Sequence, residues 1–600
     1  MDRAARPVTF TPPASFTTRP TLRGSFGMSA STHWTATATA QSVLERGGNA
    51  FDAAVAAAFV LHVAEPHLNG PGGDLVALVR PAGASEPTVL MGQGPAPAGA
   101  SIDAFRQRGL DLVPGAGGLA AAVPGAVDAW LLLLRDHGTW DVADVLDYAI
   151  GYARDGHPLV PGAAATIGRV AELFREHWPT SADLWMPDGS APAPHTVVRN
   201  PAYGAVLEEL VGAGSGADDR VERIEAARKE WASEVLPRAA EFLRTPHRHS
   251  DGGDHPGVLD THDLASWRAG FEPAVSVPFR GWQVFKAGVW TQGPALLQAL
   301  RLLDPFDDAR LDPSSSLGAH TLLEVQKLAY ADRDAWFGDT PDAVDVEALL
   351  ADDYVAARRS LLDDGASAAL RPGAPEGRAP FLPDVRPVTG DGTGATGEPT
   401  VDRRGQTRGD TCHLDVIDRW GNTVSATPSG GWLQSSPTIP DLGFCLGTRL
   451  QMTWLVAGHP ASLVPGRRPR TTLTPTILTR GDEITALGSP GGDQQDQWQL
   501  PMLLRMLVGG YEPQQAIDAP TLHTTAVTDS FWPRSWTPAG AVVEDRLSET
   551  LIADLERRGH RVRRAGDWAL GRVSAVGRDA AGVLWAAANP RGMQGYAAGR

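Results

Sequence analysis

Asp410-Thr411-Cys412-His413-Leu414-Asp415-Val416-Ile417-Asp418-Arg419-Trp420-Gly421-Asn422-Thr423-Val424-Ser425-Ala426-Thr427-Pro428-Ser429-Gly430-Gly431 is the stretch that decides the architecture. The residues after Thr411 alternate roughly in polarity, as a half-buried strand does. Asp418 to Asn422 supply a tight turn with a glycine in it, and Thr423 to Ala426 form the returning strand. A hairpin symmetric about residue 420 places Thr411 opposite Ser429. A Thr at the head of a strand with a hydroxyl facing it has the layout of an N-terminal nucleophile. A Thr in that place is ordinarily only a β-branched residue in a favourable position.

An N-terminal nucleophile needs a free amine, and Thr411 lies far inside the chain. The preceding residues, 371–410, are rich in Pro, Gly and charge and read as a flexible connector. Attack of the Thr411 hydroxyl on the Asp410 carbonyl converts the peptide bond to an ester. Hydrolysis of that ester frees the amine and divides the chain into residues 1–410 and 411–600. An α-amine has an unperturbed pKa of about 8 and can activate its own hydroxyl near neutral pH.

The hairpin resembles the processing site of the γ-glutamyltransferase family of N-terminal nucleophile hydrolases. Other motifs carry the same resemblance. The apolar helix and glycine loop between Gly47 and Val79, including Asn69-Gly70-Pro71-Gly72-Gly73-Asp74, are similar to the family's opening. So are Val123-Pro124-Gly125, Leu259 to Trp267, Tyr330-Ala331-Asp332-Arg333 and Asn589-Pro590-Arg591-Gly592. The likeness runs from about residue 26 to the end and is weakest in 180–255 and 363–408. It implies an α/β fold, a four-layer αββα sandwich. Residues 1–25 read as a flexible N-terminal segment, 26–410 as a large-subunit region and 411–600 as a small-subunit region carrying the nucleophile. The two fragments are expected to stay associated as one catalytic domain.

The resemblance also implies roles. Thr411 is the nucleophile, with cleavage between Asp410 and Thr411, and Ser429 orients its amine or hydroxyl. Gly491 and Gly492, ahead of a helix, form the oxyanion hole. Thr471 and Thr472 match the family's paired substrate-binding hydroxyls. Four departures affect substrate choice. Gln93 stands near the family's carboxylate-clamping Arg and cannot supply a charged fork. Gly431 replaces an Asn. Arg449 and Met452 fall near the residues that grip the glutamyl ammonium, and a thioether cannot accept from an ammonium as a carboxylate does. Arg449 is instead a candidate for a carboxylate placed differently.

Composition narrows the partners. Six hundred residues with 42% hydrophobic and 20% charged content describe a soluble globular chain too long for one ordinary core. A net charge of −17 disfavours nucleic acid and anionic membrane. Two cysteines, Cys412 and Cys445, exclude a disulfide scaffold. No apolar run reaches membrane-spanning length. The first 27 residues lack the apolar core of a secretory signal, so a cytoplasmic location is expected. His247, His249, Asp251, Asp254 and His255 cluster in one Gly-containing loop; imidazole and carboxylate suit zinc, but the spacing matches no zinc pattern, and a polar surface loop is the preferred reading over a metal site. No metal or organic cofactor is required, because amine and backbone dipoles cover both charge problems. The expected partners are a small amide and water or an amine acceptor. Three functions remain: γ-glutamyl transfer or hydrolysis, including glutathione; an amidase or acylase with another acyl group; and a non-catalytic binding protein. The oligomeric state, a homo-oligomer included, stays open.

Overall fold

The computed structural model describes residues 10–382, 386–387 and 411–600. Two seven-stranded sheets lie at its centre. The strands in chain order are β1 (Leu22–Gly24), β2 (Gly27–Ser31), β3 (Asp74–Arg80), β4 (Thr88–Gly92), β5 (Gly270–Pro273), β6 (Val275–Phe279), β7 (Trp282–Lys286), β8 (Leu414–Asp418), β9 (Thr423–Ser429), β10 (Thr476–Arg480), β11 (Glu483–Gly488), β12 (Ser574–Arg578), β13 (Leu584–Ala588) and β14 (Tyr596–Gly599). One sheet has the order β14-β2-β8-β9-β3-β4-β5 and the other β1-β13-β12-β11-β10-β7-β6. Every pairing within them is antiparallel.

Side-chain alternation along the strands produces the layers. In β3, Leu75, Ala77 and Val79 pack outward into a core with the helices α1 (Trp34–Glu45), α2 (Ala50–Ala64) and α3 (Ala126–His137). Val76 and Leu78 point the other way and meet Ile477, Ile484, Ala486 and Val576 of the facing sheet. The outer face of that second sheet, through Leu478, Leu487 and Ala575, packs on α4 (Pro294–Leu303), α5 (Ser316–Trp336) and α6 (Gln495–Leu507). The result is the expected αββα sandwich. α2 is buried on all sides, and an Asn49–Asp52 capping box satisfies its first amides. The adjoining Ala50 N–H donates to Asp418 Oδ2 in the hairpin turn, at 2.9 Å. That bond ties the helix start to the turn of β8–β9.

Two boundaries differ from the sequence reading. Of the N-terminal segment expected to be flexible, the described residues are docked. Thr11 donates twice to Asp312, Thr18 twice to Asp518, and Leu22–Gly24 pair with β13. The start of the expected connector is also packed. Gly373 N–H donates to Asp332 at 2.7 Å and Arg371 pairs with Glu324 at 3.1 Å. Polar composition alone does not report such side-chain anchors. Asp410 and most of the rest of the connector lie outside the described residues. Among the described residues no helix is long and apolar enough to cross a membrane.

Candidate active site

The hairpin register is the expected one: Leu414 pairs with Ala426, Val416 with Val424, and Thr411 bridges to Ser429. The strand expected to be half-buried is instead buried on both faces, because it lies inside a sheet covered by helices on one side and by the second sheet on the other. Asp418 holds the turn by accepting the N–H groups of Trp420 and Asn422. Regular pairing begins at Leu414, so Thr411 precedes the strand and meets Ser429 through an isolated bridge. Their hydroxyl oxygens are 3.2 Å apart, and both residues are buried. Cys412 points to the other side. Its thiol donates to Glu65 at 3.0 Å and accepts from Asn69 at 3.1 Å. Burial pushes the Glu65 carboxyl up, against the hydrogen bond from Thr32. This arrangement treats Cys412 as a packed thiol rather than a second nucleophile. His413 is enclosed between Thr427 (3.0 Å) and Asp415 (2.9 Å).

The glycine loop serves close approach. A Cβ on Gly73 would lie 2.2 Å from the Ser429 carbonyl oxygen, so only glycine lets this backbone lie against the end of the nucleophile hairpin. The loop delivers Asp74, which is the register partner of Ser429. Arg449 grips Asp74 through both Nε and Nη2, the latter at 2.7 Å, and both residues are buried. Burial pushes the Asp74 carboxyl up and Arg449 opposes that shift. The third nitrogen of Arg449 contacts Met452 Sδ at 3.5 Å. The fork is therefore occupied internally, and Arg449 is not the open carboxylate receptor its position suggested. Gln93 is fully buried beside this pair. Its amide donates to Gly94 O and its Oε1 is unpartnered.

The second chain segment closes over the hairpin. Ser425 Oγ donates to Leu487 O at 3.1 Å, and a Cβ on Gly488 would meet the His413 ring at 2.2 Å. The turn that follows uses glycines at positive φ, +118° at Gly491 and +54° at Gly492. Among the described residues neither glycine's N–H is given to a partner. Gln292 donates to Gly492 O at 3.1 Å. Thr291, next to it, bridges to Thr471, so the threonine pair and the glycine turn share one support. Thr472 is buried with its hydroxyl unpartnered. The strand expected to open at Thr471 begins only at Thr476. Asp493, directly after the turn, is held by Arg333 and by Ser530. Burial alone would raise its carboxyl, but Arg333 and Arg470 overcome this and hold it below the usual range.

Residues 36–599 match the γ-glutamyltranspeptidase family model. The chain belongs to the γ-glutamyltranspeptidase family. The glutathione hydrolase-like YwrD proenzyme of Bacillus subtilis is 29% identical over 95% of this chain and 98% of that protein. The solved structure of LmbA2991HD is 52% identical, with a TM-score of 0.92 over 98% of this chain and 100% of that one. The cephalosporin acylase of Bacillus halodurans is 26% identical, with a TM-score of 0.80 over 100% of this chain and 98% of that one. As a γ-glutamyltranspeptidase family member with this fold, the protein is an enzyme, a γ-glutamyltransferase-like hydrolase or acyltransferase.

Two residues escaped the sequence reading. Asp74 read as the end of a glycine loop, and Arg470 was not singled out. Their signal is a charged residue directly beside a motif that the family keeps. The His247–His255 loop does not gather its side chains around one point. His249 accepts from Leu119 N–H and lies 2.8 Å from His247 O, while His255 pairs with Asp251 at 2.9 Å. His320, Glu324 and His560 do converge. Their ligand atoms are already engaged: His320 Nε2 with Asp363 O, its Nδ1 with His560 Nε2, and Glu324 with Lys327 and Arg371. Two cations beside the carboxylate make this a hydrogen-bonded strut between α5 and the C-terminal region rather than a cation site.

Proposed function

We propose that the chain cleaves itself before Thr411 and then works as an acyl hydrolase or transferase through a Thr ester. The observation that carries this is the 3.2 Å contact between Thr411 Oγ1 and Ser429 Oγ at the buried head of the hairpin. In processing, the Thr411 hydroxyl attacks the Asp410 carbonyl and the C–N bond gives way to a C–O ester. Water then breaks the ester, leaving a carboxyl on Asp410 and restoring the hydroxyl beside a free α-amine. In turnover that amine takes the hydroxyl proton as the oxygen attacks a substrate amide. The N–H groups of Gly491 and Gly492 hold the oxyanion. The leaving amine takes the proton, and water or a second amine releases the acyl group. Residues 1–410 and 411–600 stay associated as two parts of one domain.

The first substrate class is a γ-glutamyl amide such as glutathione, in keeping with the glutathione hydrolase-like relative. The second is an amide of another acyl group, in keeping with the cephalosporin acylase. One observation favours the second: Arg449 is closed on Asp74 and Met452 stands where an ammonium acceptor is needed. The test is the intact mass of purified, incubated protein with N-terminal sequencing. A fragment covering 411–600 that begins at Thr411 is expected, and Thr411→Ala remains one chain. A wild-type chain that stays whole, indistinguishable from Thr411→Ala, overturns the proposal and leaves a fold-retaining binding protein.

A further inference from the structure

Four consecutive carbonyls around the glycine turn have hydrogen-bond donors. Pro490 O accepts from Ser489 Oγ at 2.8 Å, and Gly491 O from Gln494 N–H at 2.9 Å. Gly492 O accepts from Gln292 Nε2 at 3.1 Å, and Asp493 O from the Tyr330 hydroxyl at 2.7 Å and Gln497 Nε2 at 3.2 Å. A trans peptide is planar, so holding its C=O on one side presents its N–H on the other. The N–H groups of Gly491 and Gly492 are the ones left unused among the described residues. Glycine torsions are soft, and two glycines in succession do not hold such an alignment by themselves. The bonds from outside the turn must supply the stiffness.

Those outside bonds meet at Arg333. It lies three positions after Tyr330 on α5, so the two share a helix face, and its guanidinium sits 4.4 Å from the centre of the Tyr330 ring. Arg333 Nη1 donates to Gln292 Oε1 at 3.1 Å and also to Asp493 Oδ1. An arginine only donates, so the oxygen of Gln292 must face it and the NH2 group must face Gly492 O. Arg333 is itself anchored: Nε and Nη2 donate to Asp334 at 3.0 and 2.8 Å, and Nη2 to Thr528 O at 2.9 Å. Gln292 and Arg333 are fully buried. Burial disfavours the charge on Arg333, but Asp334 and Asp493 outweigh it and hold the guanidinium above its usual range. One guanidinium therefore sets both the amide that holds Gly492 and the carboxylate of the next residue.

We propose that Arg333, Gln292 and Tyr330 are positioning residues for acyl transfer, which hold the glycine turn from behind so that its two free N–H groups stay aimed at the oxyanion. This rests on Thr411 being the nucleophile and on the glycine turn receiving the oxyanion; none of the three side chains touches the reacting atoms. The test uses the full chain, with the cleaved fraction of each variant read by mass and rates expressed per cleaved chain. Turnover of γ-glutamyl- and butyryl-p-nitroanilide is measured. Binding of phenylboronic acid, whose tetrahedral adduct on a hydroxyl mimics the transition state, is followed by calorimetry. Gln292→Met is expected to lower kcat by about 10- to 100-fold, the scale of losing one buried donor, with KM nearly unchanged and boronate affinity falling in parallel. Gln292→Glu still accepts from Arg333 but as a carboxylate cannot donate to Gly492 O, and is expected to lose as much. Arg333→Lys lacks the fork that serves both partners and loses activity in the same way. Tyr330→Phe, one peptide further along, lowers kcat by about 3- to 10-fold. A cleaved Gln292→Met chain with wild-type kcat, or recovery of activity in Gln292→Glu, overturns the positioning role while leaving Thr411 in place. So does a loss confined to KM, or one that leaves boronate binding intact. Where Gln292→Met stays uncleaved, Tyr330→Phe takes over the comparison, and wild-type kcat there overturns the role. A wild-type chain that does not cleave overturns the nucleophile reading and this role with it. A cleaved wild type that neither turns over an anilide nor binds the boronate overturns the role alone.

Discussion

Thr411 and Ser429 face one another through a neutral contact of 3.2 Å, whereas Asp74, the register neighbour of Ser429, faces Arg449 as a closed ion pair. The two arrangements share one strand pair but divide the work. The first sets two hydroxyls against one another at the head of the hairpin. The second neutralises a charge that would otherwise sort substrates. Under the proposed mechanism, the residues that make and break bonds are not those that set the charge beside them.

The contrast can be broken from the chemical side first. Gly491→Ala is expected to lower kcat by about 100- to 1,000-fold, the usual consequence of losing an oxyanion donor. At φ +118° the new Cβ would meet the Trp498 ring at 2.3 Å, so the turn must move. Steady-state kinetics measures this, with the melting temperature as a check on folding. A variant with wild-type kcat would remove the glycine turn from the mechanism. On the recognition side, Asp74→Asn leaves the buried Arg449 without its counter-charge. Stability should fall by about 3–5 kcal/mol, as when one partner of a buried pair is deleted. Asp74→Asn combined with Arg449→Met should recover part of this. Chemical denaturation measures both variants, and a single mutant as stable as wild type would show that the pair is not closed in solution.

A third effect is common to both sides. His67 near the Glu65–Cys412 pocket, and His523 against Trp498 beneath the glycine turn, are each pushed by burial down to about 3. Between the unfolded value of 6.5 and the folded value near 3, the unfolded chain binds more protons. Their contribution is therefore complete above 6.5 and is lost as pH falls. Calorimetric melting temperatures should decline from pH 7 to pH 4, and a flat profile would mean that these histidines are hydrated.

Much of this was legible in the chain itself. Period-two alternation, the Asp418–Asn422 turn and symmetry about residue 420 placed Thr411 opposite Ser429 without any tertiary information. Gly491 and Gly492 were legible as a turn before a helix, because a glycine's need for positive φ is local. The partner of Arg449 was not legible, since Asp74 is 375 positions away in the chain. The docking of residues 10–24 was hidden too, because Thr11 and Thr18 gain their partners from Asp312 and Asp518.

By itself the sequence determined the strand alternation, the hairpin register, the glycine turn and the neighbourhood of each hydroxyl. These depend on hydrogen bonds and torsions between residues close along the chain. The tertiary structure alone decided which charges are spent and which are open. Arg449 read as a candidate for an external carboxylate. Only folding brings Asp74 onto two nitrogens of that guanidinium and spends it.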